Sequence, residues 1–125
     1  MNIPQDLLYT KDHEWVRVEG DTAVVGITDY AQGELGDVVF VQLPSVGTKA
    51  SQGQSIGSIE AVKAVADIYS PVSGDVIEIN NVLNDNPETM NQDPYGKGWV
   101  AKFKLSNFSA ERANLLNAAA YSALV

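Results

Sequence analysis

The chain has 125 residues, of which 45% are hydrophobic and 19% are charged, values that indicate one globular domain covering residues 1–125. Eight basic residues against sixteen acidic ones give a formal net charge of −8, which argues against nucleic acid and anionic membranes as partners. Cysteine is absent, so disulfides, thiolate nucleophiles and cysteine metal sites are excluded.

Signals for targeting and for metal binding are also missing. Residues 1–10 lack the basic and then apolar pattern of a signal peptide, and no apolar run approaches the length of a membrane span. The single histidine, His13, is predicted to be a solvated or capping residue, because one histidine cannot anchor a histidine-rich metal site. These features predict a cytoplasmic protein without a metal.

Alternating apolar residues dominate the first third of the chain. The pattern runs over residues 14–18 and 22–27, and the Gly-Asp pair between them predicts a hairpin. Thr28 or Asp29 can cap a short helix that extends through Leu35 and ends at a glycine. A buried strand over residues 38–41 follows.

The second half of the chain continues the β pattern until its last segment. An Asn-Pro-Glu sequence at 86–88 predicts one short turn of helix. Residues 99–105 alternate as a strand, whereas the apolar spacing after Ser109 predicts a C-terminal helix over about 109–123. The chain is therefore predicted to be mainly β with short peripheral helices.

One internal repeat links two of the predicted strands. Residues 36–41 and 74–79 share the pattern Gly-Asp-Val-apolar-x-apolar. The match is either a coincidence between two strands that follow glycine turns or the trace of a sandwich with two like halves. In the second case, the segment between the copies would protrude as a hairpin.

This segment, residues 56–69, is predicted to fold into an apolar face and a more polar face, which separate fairly well if Val62 and Lys63 form the turn. The predicted cross-strand pairs are Ala61 with Ala64, Glu60 with Val65, Ile59 with Ala66, Ser58 with Asp67, Gly57 with Ile68, and Ile56 with Tyr69. Valine and lysine are unusual in a tight turn, which prefers Asn-Gly or Asp-Gly. Lys63 is then either a solvated charge or the attachment point for an acyl group on a flexible stem.

Several separate motifs follow one another along most of the chain. They are Tyr9-Thr10-Lys11-Asp12-His13-Glu14-Trp15, Val25-Gly26-Ile27-Thr28-Asp29-Tyr30-Ala31, Leu35-Gly36-Asp37-Val38-Val39, Glu60-Ala61-Val62-Lys63-Ala64, Tyr69-Ser70-Pro71-Val72-Ser73-Gly74, Asn80-Asn81, and Asp93-Pro94-Tyr95-Gly96-Lys97-Gly98-Trp99. In their order and spacing these motifs resemble the H proteins of the glycine cleavage system, a family of lipoyl carriers. The resemblance extends from Tyr9 to Tyr121.

The resemblance implies a barrel-sandwich hybrid fold with lipoate bound covalently to Lys63 as N6-lipoyl-lysine. Glu60 and Gly74 match positions that the lipoylating enzyme recognises in the family. The Glu60 carboxylate could orient the lysine ammonium, and Gly74 could permit a turn before its strand. The chain has Ala61 where the family usually has serine, a change that removes a hydroxyl but leaves Lys63 and Glu60 in place.

The resemblance also implies a carrier that is not itself an enzyme. Its partners would be a pyridoxal-phosphate glycine decarboxylase, which loads the aminomethyl group, and a tetrahydrofolate-dependent aminomethyltransferase, which removes it. Dihydrolipoamide dehydrogenase would then reoxidise the lipoyl group. No nucleophile–base pair is apparent in the sequence, so no catalytic residue is predicted. A monomer suits a carrier that must meet several enzymes.

Two carboxylates, Glu14 and Asp67, are predicted to face the bound lipoyl arm. Once loaded, the arm would end in a cationic amine, which carboxylates in a cleft would keep protonated. The alternative is that both are solvated residues on exposed strands, because acidic residues are frequent in this chain.

Other carrier families and an unmodified module are the alternatives to a glycine cleavage carrier. Biotin carriers usually have methionines on both sides of the lysine, whereas Val62 and Ala64 occupy these positions here. Lipoyl domains of 2-oxoacid dehydrogenases resemble Asp-Lys-Ala at the site and precede a flexible linker, which this chain lacks. A carrier that relays lipoyl groups to other enzymes and an unmodified structural or adaptor module stay open as alternatives.

Overall fold

The computed structural model describes residues 1–125 and confirms a mainly β fold built from two antiparallel sheets. The larger sheet has the order β1-β2-β3-β9-β8-β5, and the smaller one has the order β4-β6-β7. The strands are β1 (Leu8–Tyr9), β2 (Glu14–Glu19), β3 (Thr22–Ile27), β4 (Val38–Gln42), β5 (Lys49–Ala50), β6 (Ser55–Ala61), β7 (Val65–Tyr69), β8 (Gly74–Ile79) and β9 (Ala101–Leu105).

The sheets are held together by alternating apolar side chains, as the period-two patterns predicted. One cluster of 18 buried residues draws on strands of both sheets, including Val25, Ile59 and Phe103. A second cluster forms around Tyr9, Trp15 and Tyr121 at the end of the larger sheet. Burial of these apolar surfaces is the main force that holds the sheets in contact.

The first hairpin and the helix after it are confirmed. Strands β2 and β3 pair from Glu14 with Ile27 to Glu19 with Thr22. Helix α1 (Asp29–Leu35) begins at Thr28, whose hydroxyl oxygen accepts a hydrogen bond from the Ala31 N–H at 3.2 Å. Gly36 ends the helix with a φ of 77°, a conformation that glycine adopts without strain.

Four further short helices and a 3₁₀ turn lie in the second half of the chain. They are α2 (Val82–Asp85), α3 (Thr89–Gln92), α4 (Phe108–Glu111), a 3₁₀ turn at Arg112–Asn114, and α5 (Ala118–Leu124). The turn of helix predicted at 86–88 corresponds to α3, which begins just after it, while α2 was not predicted. None of these helices is long and apolar enough to cross a membrane.

The continuous C-terminal helix predicted over 109–123 is wrong. The chain is extended between the 3₁₀ turn and α5, where Leu116 exchanges backbone hydrogen bonds of 2.7 and 2.8 Å with Tyr9. Asn117 then caps a new helix by accepting the Ala120 N–H at 2.8 Å. Pairing with a strand that is distant in sequence has overridden the helical spacing of the apolar residues.

The internal repeat corresponds to one backbone feature that occurs in both sheets. Its copies lie at the start of β4 and in β8, and each contains a register shift that marks a β-bulge. The bulges fall at equivalent positions, Val39 and Ile77, and both side chains are exposed. The shared motif therefore encodes the same kink in two strands of different sheets.

Candidate functional site

The hairpin that carries Lys63 has the predicted register over most of its length. Strands β6 and β7 pair from Glu60 with Val65 through Gly57 with Ile68, as expected. The outermost predicted pair is wrong, because Tyr69 pairs with Ser55 instead of Ile56. A bulge between Ser55 and Gly57 adds one residue to β6 and shifts the pairing beyond it.

The tip of the hairpin is held by tertiary hydrogen bonds. Neither Val62 nor Lys63 has a positive φ, so the tip does not use the backbone conformation of the preferred hairpin turns. The Val62 N–H donates to the Asp37 carbonyl at 3.0 Å, and the Lys63 N–H donates to the Leu35 carbonyl at 3.2 Å. These two bonds, one to the last residue of α1 and one to the segment after it, explain how a valine and a lysine can occupy the turn.

The segment beneath the tip is in turn fixed by Asn91 from α3. The Asn91 amide oxygen accepts the Val38 N–H at 2.9 Å, and its amide nitrogen donates to the Gly36 carbonyl at 2.9 Å. A side chain at Gly36 would place its Cβ 3.2 Å from Cγ of Lys63. Glycine at this position therefore satisfies the positive φ and leaves room for the lysine stem.

Lys63 and Glu60 are both exposed, and neither takes part in an ion pair. All three ion pairs of the chain lie in the larger sheet or at its turns, at Lys49–Asp75, Lys102–Glu78 and Lys104–Asp21. The Glu60 carboxylate therefore does not orient the Lys63 ammonium by direct contact. Both charges are available to a partner.

Gly74 lies away from the hairpin, buried at the start of β8. Its φ is not positive, so the expected turn before the strand does not account for the glycine. A Cβ here would instead overlap the Lys104 carbonyl oxygen on β9. Close approach of two backbones accounts for glycine at this position, and recognition of Gly74 by the lipoylating enzyme stays a prediction.

Replacing Gly74 by alanine should lower the free energy of unfolding by about 2–3 kcal/mol, because strands β8 and β9 must separate to admit the methyl group. Gly33→Ala in α1 is the matched control, since nothing lies within 4 Å of its Cβ position. That substitution should stabilise the chain by about 0.5–1 kcal/mol through helix propensity. Urea unfolding of the two variants measures both effects, and equal stabilities would contradict this account of Gly74.

A cleft of about 350 Å³ lies beside the hairpin tip, between α1 and the two sheets. Leu35 connects the two features, because its side chain lines the cleft while its carbonyl accepts the Lys63 N–H. Apolar residues of β3, α1, β6 and β7 form much of the wall, which also contains four carboxylates but no lysine or arginine. The carboxylates belong to Asp12, Glu14, Glu34 and Asp67. The cleft thus suits a slender apolar group that ends in a cation.

Both carboxylates predicted to face an arm, Glu14 and Asp67, line this cleft, but their environments differ. Asp67 is exposed, whereas only 2% of the surface of Glu14 is accessible. The Thr10 hydroxyl donates to Oε1 of Glu14 at 2.6 Å, and the Tyr69 N–H lies 3.3 Å from Oε2. Burial outweighs these hydrogen bonds and raises the pKa of Glu14 from 4.5 to about 7.

His13 is part of the cleft wall, so the prediction of a solvated or capping histidine is wrong. Its backbone has a φ of 71°, and its Nδ1 lies 2.8 Å from the Tyr121 hydroxyl. That hydroxyl also bonds to Thr28 Oγ1 at 2.7 Å. Partial burial lowers the pKa of His13 below its usual value of 6.5, which favours the neutral ring at this position.

The α1 side of the cleft was not identified from the sequence. Tyr30 and Glu34 line it together, because residues four apart lie on one face of a helix. From the sequence, Asp12 is only a member of the first family motif. Helical spacing of one aromatic and one acidic residue was the available signal, but such pairs are common on solvated helix faces.

Comparisons with known proteins agree with one another. The family model described as "Glycine cleavage H-protein" matches residues 7–125. The glycine cleavage system H protein of Herpetosiphon aurantiacus is 57% identical over 96% of this chain and 91% of its own length. The glycine cleavage system H protein of Bacteroides thetaiotaomicron is 53% identical over 100% of this chain and 98% of its own length.

A solved structure gives the same result for the fold. The crystal structure of a glycine cleavage system H protein from Mycobacterium marinum superposes with a TM-score of 0.85 at 41% sequence identity, over 97% of both chains. The barrel-sandwich hybrid expected from the resemblance is thereby confirmed. Together with the family match over residues 7–125, this likeness shows that the chain belongs to the glycine cleavage H-protein family.

Proposed function

We propose that the chain is a non-catalytic lipoyl carrier of the glycine cleavage system, with lipoate attached to Lys63. It would carry the aminomethyl group of glycine from a pyridoxal-phosphate glycine decarboxylase to a tetrahydrofolate-dependent aminomethyltransferase, with reoxidation by dihydrolipoamide dehydrogenase. The observation that supports this most is the exposed Lys63 on a braced hairpin tip beside an acidic, partly apolar cleft. A cytoplasmic monomer suits a carrier that visits three enzymes.

The residues of the cleft fit a lipoyl group. When bound, this group supplies a reversible disulfide and, after reduction, a thiol that can bear a one-carbon unit. Ile27, Ala31, Leu35, Ile59 and Ala66 line the cleft and can bury the hydrocarbon part of the arm. The carboxylates of Glu14 and Asp67 can accept hydrogen bonds from a terminal ammonium.

Glu14 would act as both a hydrogen-bond acceptor and a screen against water. Burial raises the pKa of its carboxylic acid to about 7. An approaching cation favours the charged form, so it would promote loss of the proton from Glu14. The Thr10 hydroxyl and Tyr69 N–H hold that carboxylate in place. Asp67, which is exposed at the rim, would complete the charge around the amine.

Attachment of lipoate needs an activated acyl donor, such as an acyl-adenylate or a thioester. Nζ of Lys63 would attack the lipoyl carbonyl carbon, the bond to the adenylate or thiol leaving group would break, and an amide would form with loss of a proton from nitrogen. No electrons are transferred to or from an external redox partner. Glu60 and Gly74 are proposed to contribute to recognition by the lipoylating enzyme.

Intact mass measured after expression in cells competent in lipoylation tests the proposal. We expect one lipoyl amide on the wild-type chain and none on Lys63→Arg, which keeps the positive charge but lacks an amine that can be acylated. Lys49→Arg is the matched control, because Lys49 is also exposed, and it should retain the modification. A fully unmodified wild-type chain would support an adaptor role and overturn the proposed function.

Transfer of the aminomethyl group to the lipoylated chain distinguishes a carrier of glycine cleavage from a protein that only relays lipoyl groups to other enzymes. Incubation of the lipoylated chain with glycine, the decarboxylase and pyridoxal phosphate should yield the aminomethylated protein and carbon dioxide. Retention of the lipoyl group without any loading would contradict the carrier of glycine cleavage and support the relay.

A further inference from the structure

Two buried hydroxyl groups connect helix α5 and the start of α1 to His13 in the wall of the cleft. Thr28 Oγ1 lies 2.7 Å from the Tyr121 hydroxyl, which lies 2.8 Å from Nδ1 of His13. Neither Thr28 nor Tyr121 has accessible surface, and Thr28 Oγ1 already accepts the Ala31 N–H. We call Thr28 and Tyr121 the hydroxyl pair.

The number of hydrogens in these contacts fixes the position of the proton on His13. The two contacts can hold two hydrogens, and the hydroxyls of Thr28 and Tyr121 supply both. Thr28 therefore donates to Tyr121, and Tyr121 donates to Nδ1, which must be an acceptor. A proton on Nδ1 would leave one buried hydroxyl without an acceptor, an arrangement that is costly in a folded protein. His13 is thus held as the neutral tautomer that carries its proton on Nε2.

The charges around His13 would by themselves favour the protonated ring. Besides Tyr121, the titratable groups that line the cleft or the adjoining groove with His13 are Lys11, Asp12, Glu14, Tyr30, Glu34 and Asp67. Four of these residues carry carboxyl groups against one lysine, and nearby carboxylates favour a charged histidine. A protonated His13 would compete for the carboxylates with a terminal ammonium on the arm and would repel it.

We propose that Tyr121 is a positioning residue for the loaded arm: through the hydroxyl pair it keeps His13 neutral, so that the carboxylates of the cleft remain available to the ammonium. This inference rests on the proposed function. It assigns a role in retaining the amine to α5, which contributes no residue to the wall of the cleft.

The chemistry of the loaded arm explains why a second cation in the cleft would be harmful. A cation close to the ammonium favours its deprotonation. The lone pair of the neutral amine can then form a carbon–nitrogen double bond while the carbon–sulfur bond breaks and its electron pair goes to sulfur. Water converts the resulting iminium ion to formaldehyde and ammonium. An amine that stays protonated has no lone pair for this step.

Nitrogen NMR of the unmodified chain reports the state of His13 directly, because the chain has a single histidine. At pH 7 the wild type should show an unprotonated, pyridine-type Nδ1 and a protonated, pyrrole-type Nε2. Tyr121→Phe removes one hydroxyl and keeps the ring that stacks on Tyr9 at 4.7 Å. It should raise the ratio of protonated to neutral His13 at pH 7 about tenfold, because Nδ1 loses the donor that held it as an acceptor.

Tyr9→Phe is the matched control for the loss of a buried hydroxyl. Tyr9 is as buried as Tyr121 and forms the other half of the stacked pair, but its hydroxyl donates to the Pro4 carbonyl at 2.6 Å. The titration of His13 in this variant should match that of the wild type. If His13 titrates alike in the two tyrosine variants, or if the wild type carries its proton on Nδ1, the inference is wrong.

Release of ammonia by the isolated, aminomethylated protein measures the consequence for the arm. Tyr121→Phe should release ammonia about fivefold faster than the wild type at pH 6.5, and the difference should disappear by about pH 8.5, where His13 is neutral in both proteins. His13→Asn removes the titrating ring, and asparagine tolerates the φ of 71° at this position. In the His13→Asn background, Tyr121→Phe should therefore change the release rate at no pH.

The remaining outcomes each decide a separate question. Faster release in both backgrounds would show that Tyr121 acts through the packing of α5 alone, and equal release by Tyr121→Phe and the wild type at pH 6.5 would show that the charge of His13 does not reach the amine. Either result overturns the inference. A wild-type chain that is never lipoylated overturns the proposed function instead, while NMR of that unmodified chain still decides whether the hydroxyl pair holds His13 neutral.

Discussion

Replacing Glu14 by glutamine should remove a pH dependence of about 3 kcal/mol from the free energy of unfolding. Burial raises the pKa of Glu14 from 4.5 to about 7, so between these values the folded chain holds a proton that the unfolded chain releases. The contribution of this proton to stability is fully present below about pH 4.5. This stabilisation is lost as the pH rises to about 7 and stays absent at higher pH. Its size of about 3 kcal/mol follows from about 1.4 kcal/mol for each unit by which the pKa is raised.

Urea unfolding at pH 5, 6, 7 and 8 measures this difference. The wild type should lose stability relative to Glu14→Gln as the pH rises, and the two curves should become parallel above about pH 7.5. Glu60→Gln is the control for removing a carboxylate, since Glu60 is exposed, and its profile should stay parallel to that of the wild type. Parallel wild-type and Glu14→Gln profiles over the whole range would show that Glu14 is not buried in the free chain.

The register of the Lys63 hairpin could be predicted because a β-strand alternates its faces, and a slip of one residue would have exchanged them. The two hydrogen bonds that hold its tip could not be predicted. Their acceptors are the Leu35 and Asp37 carbonyls, which lie more than 20 residues from Lys63 and become its neighbours only when β4 pairs with β6. The unsuitable turn residues marked the place where tertiary contacts replace local preference.

The candidate site was predicted in part for a similar reason. Glu14 and Asp67 were expected to face one arm, and they line one cleft. Glu14 is buried and accepts a hydrogen bond from the Tyr69 N–H, 55 residues away along the chain, which no local pattern records. Likewise, the interrupted C-terminal helix depends on the pairing of Leu116 with Tyr9 across more than 100 residues, so its apolar spacing was misleading.

Removing both cleft carboxylates should speed the loss of ammonia from the aminomethylated carrier about a hundredfold. Glu14→Gln and Asp67→Asn keep the shape of each side chain but remove its charge, so the terminal amine is no longer held as an ammonium. A hydrogen bond to a charged group contributes about 1.5–3 kcal/mol, which corresponds to at least tenfold for each carboxylate. The measurement is ammonia released with time by the isolated, loaded protein, without tetrahydrofolate or the aminomethyltransferase.

The pH dependence of ammonia release tests whether Glu14 is the residue that slows this release. Binding the ammonium requires an ionised Glu14, and below about pH 7 part of the binding energy is spent in removing its proton. Wild-type protection should therefore weaken from pH 8 to pH 6, whereas Glu14→Gln should release ammonia rapidly with little change over this range. Asp67→Asn should keep the wild-type dependence on pH, and Asp75→Asn, on the other sheet, should not differ from wild type. Equal release rates for the double variant and the wild type would mean that the cleft does not hold the amine.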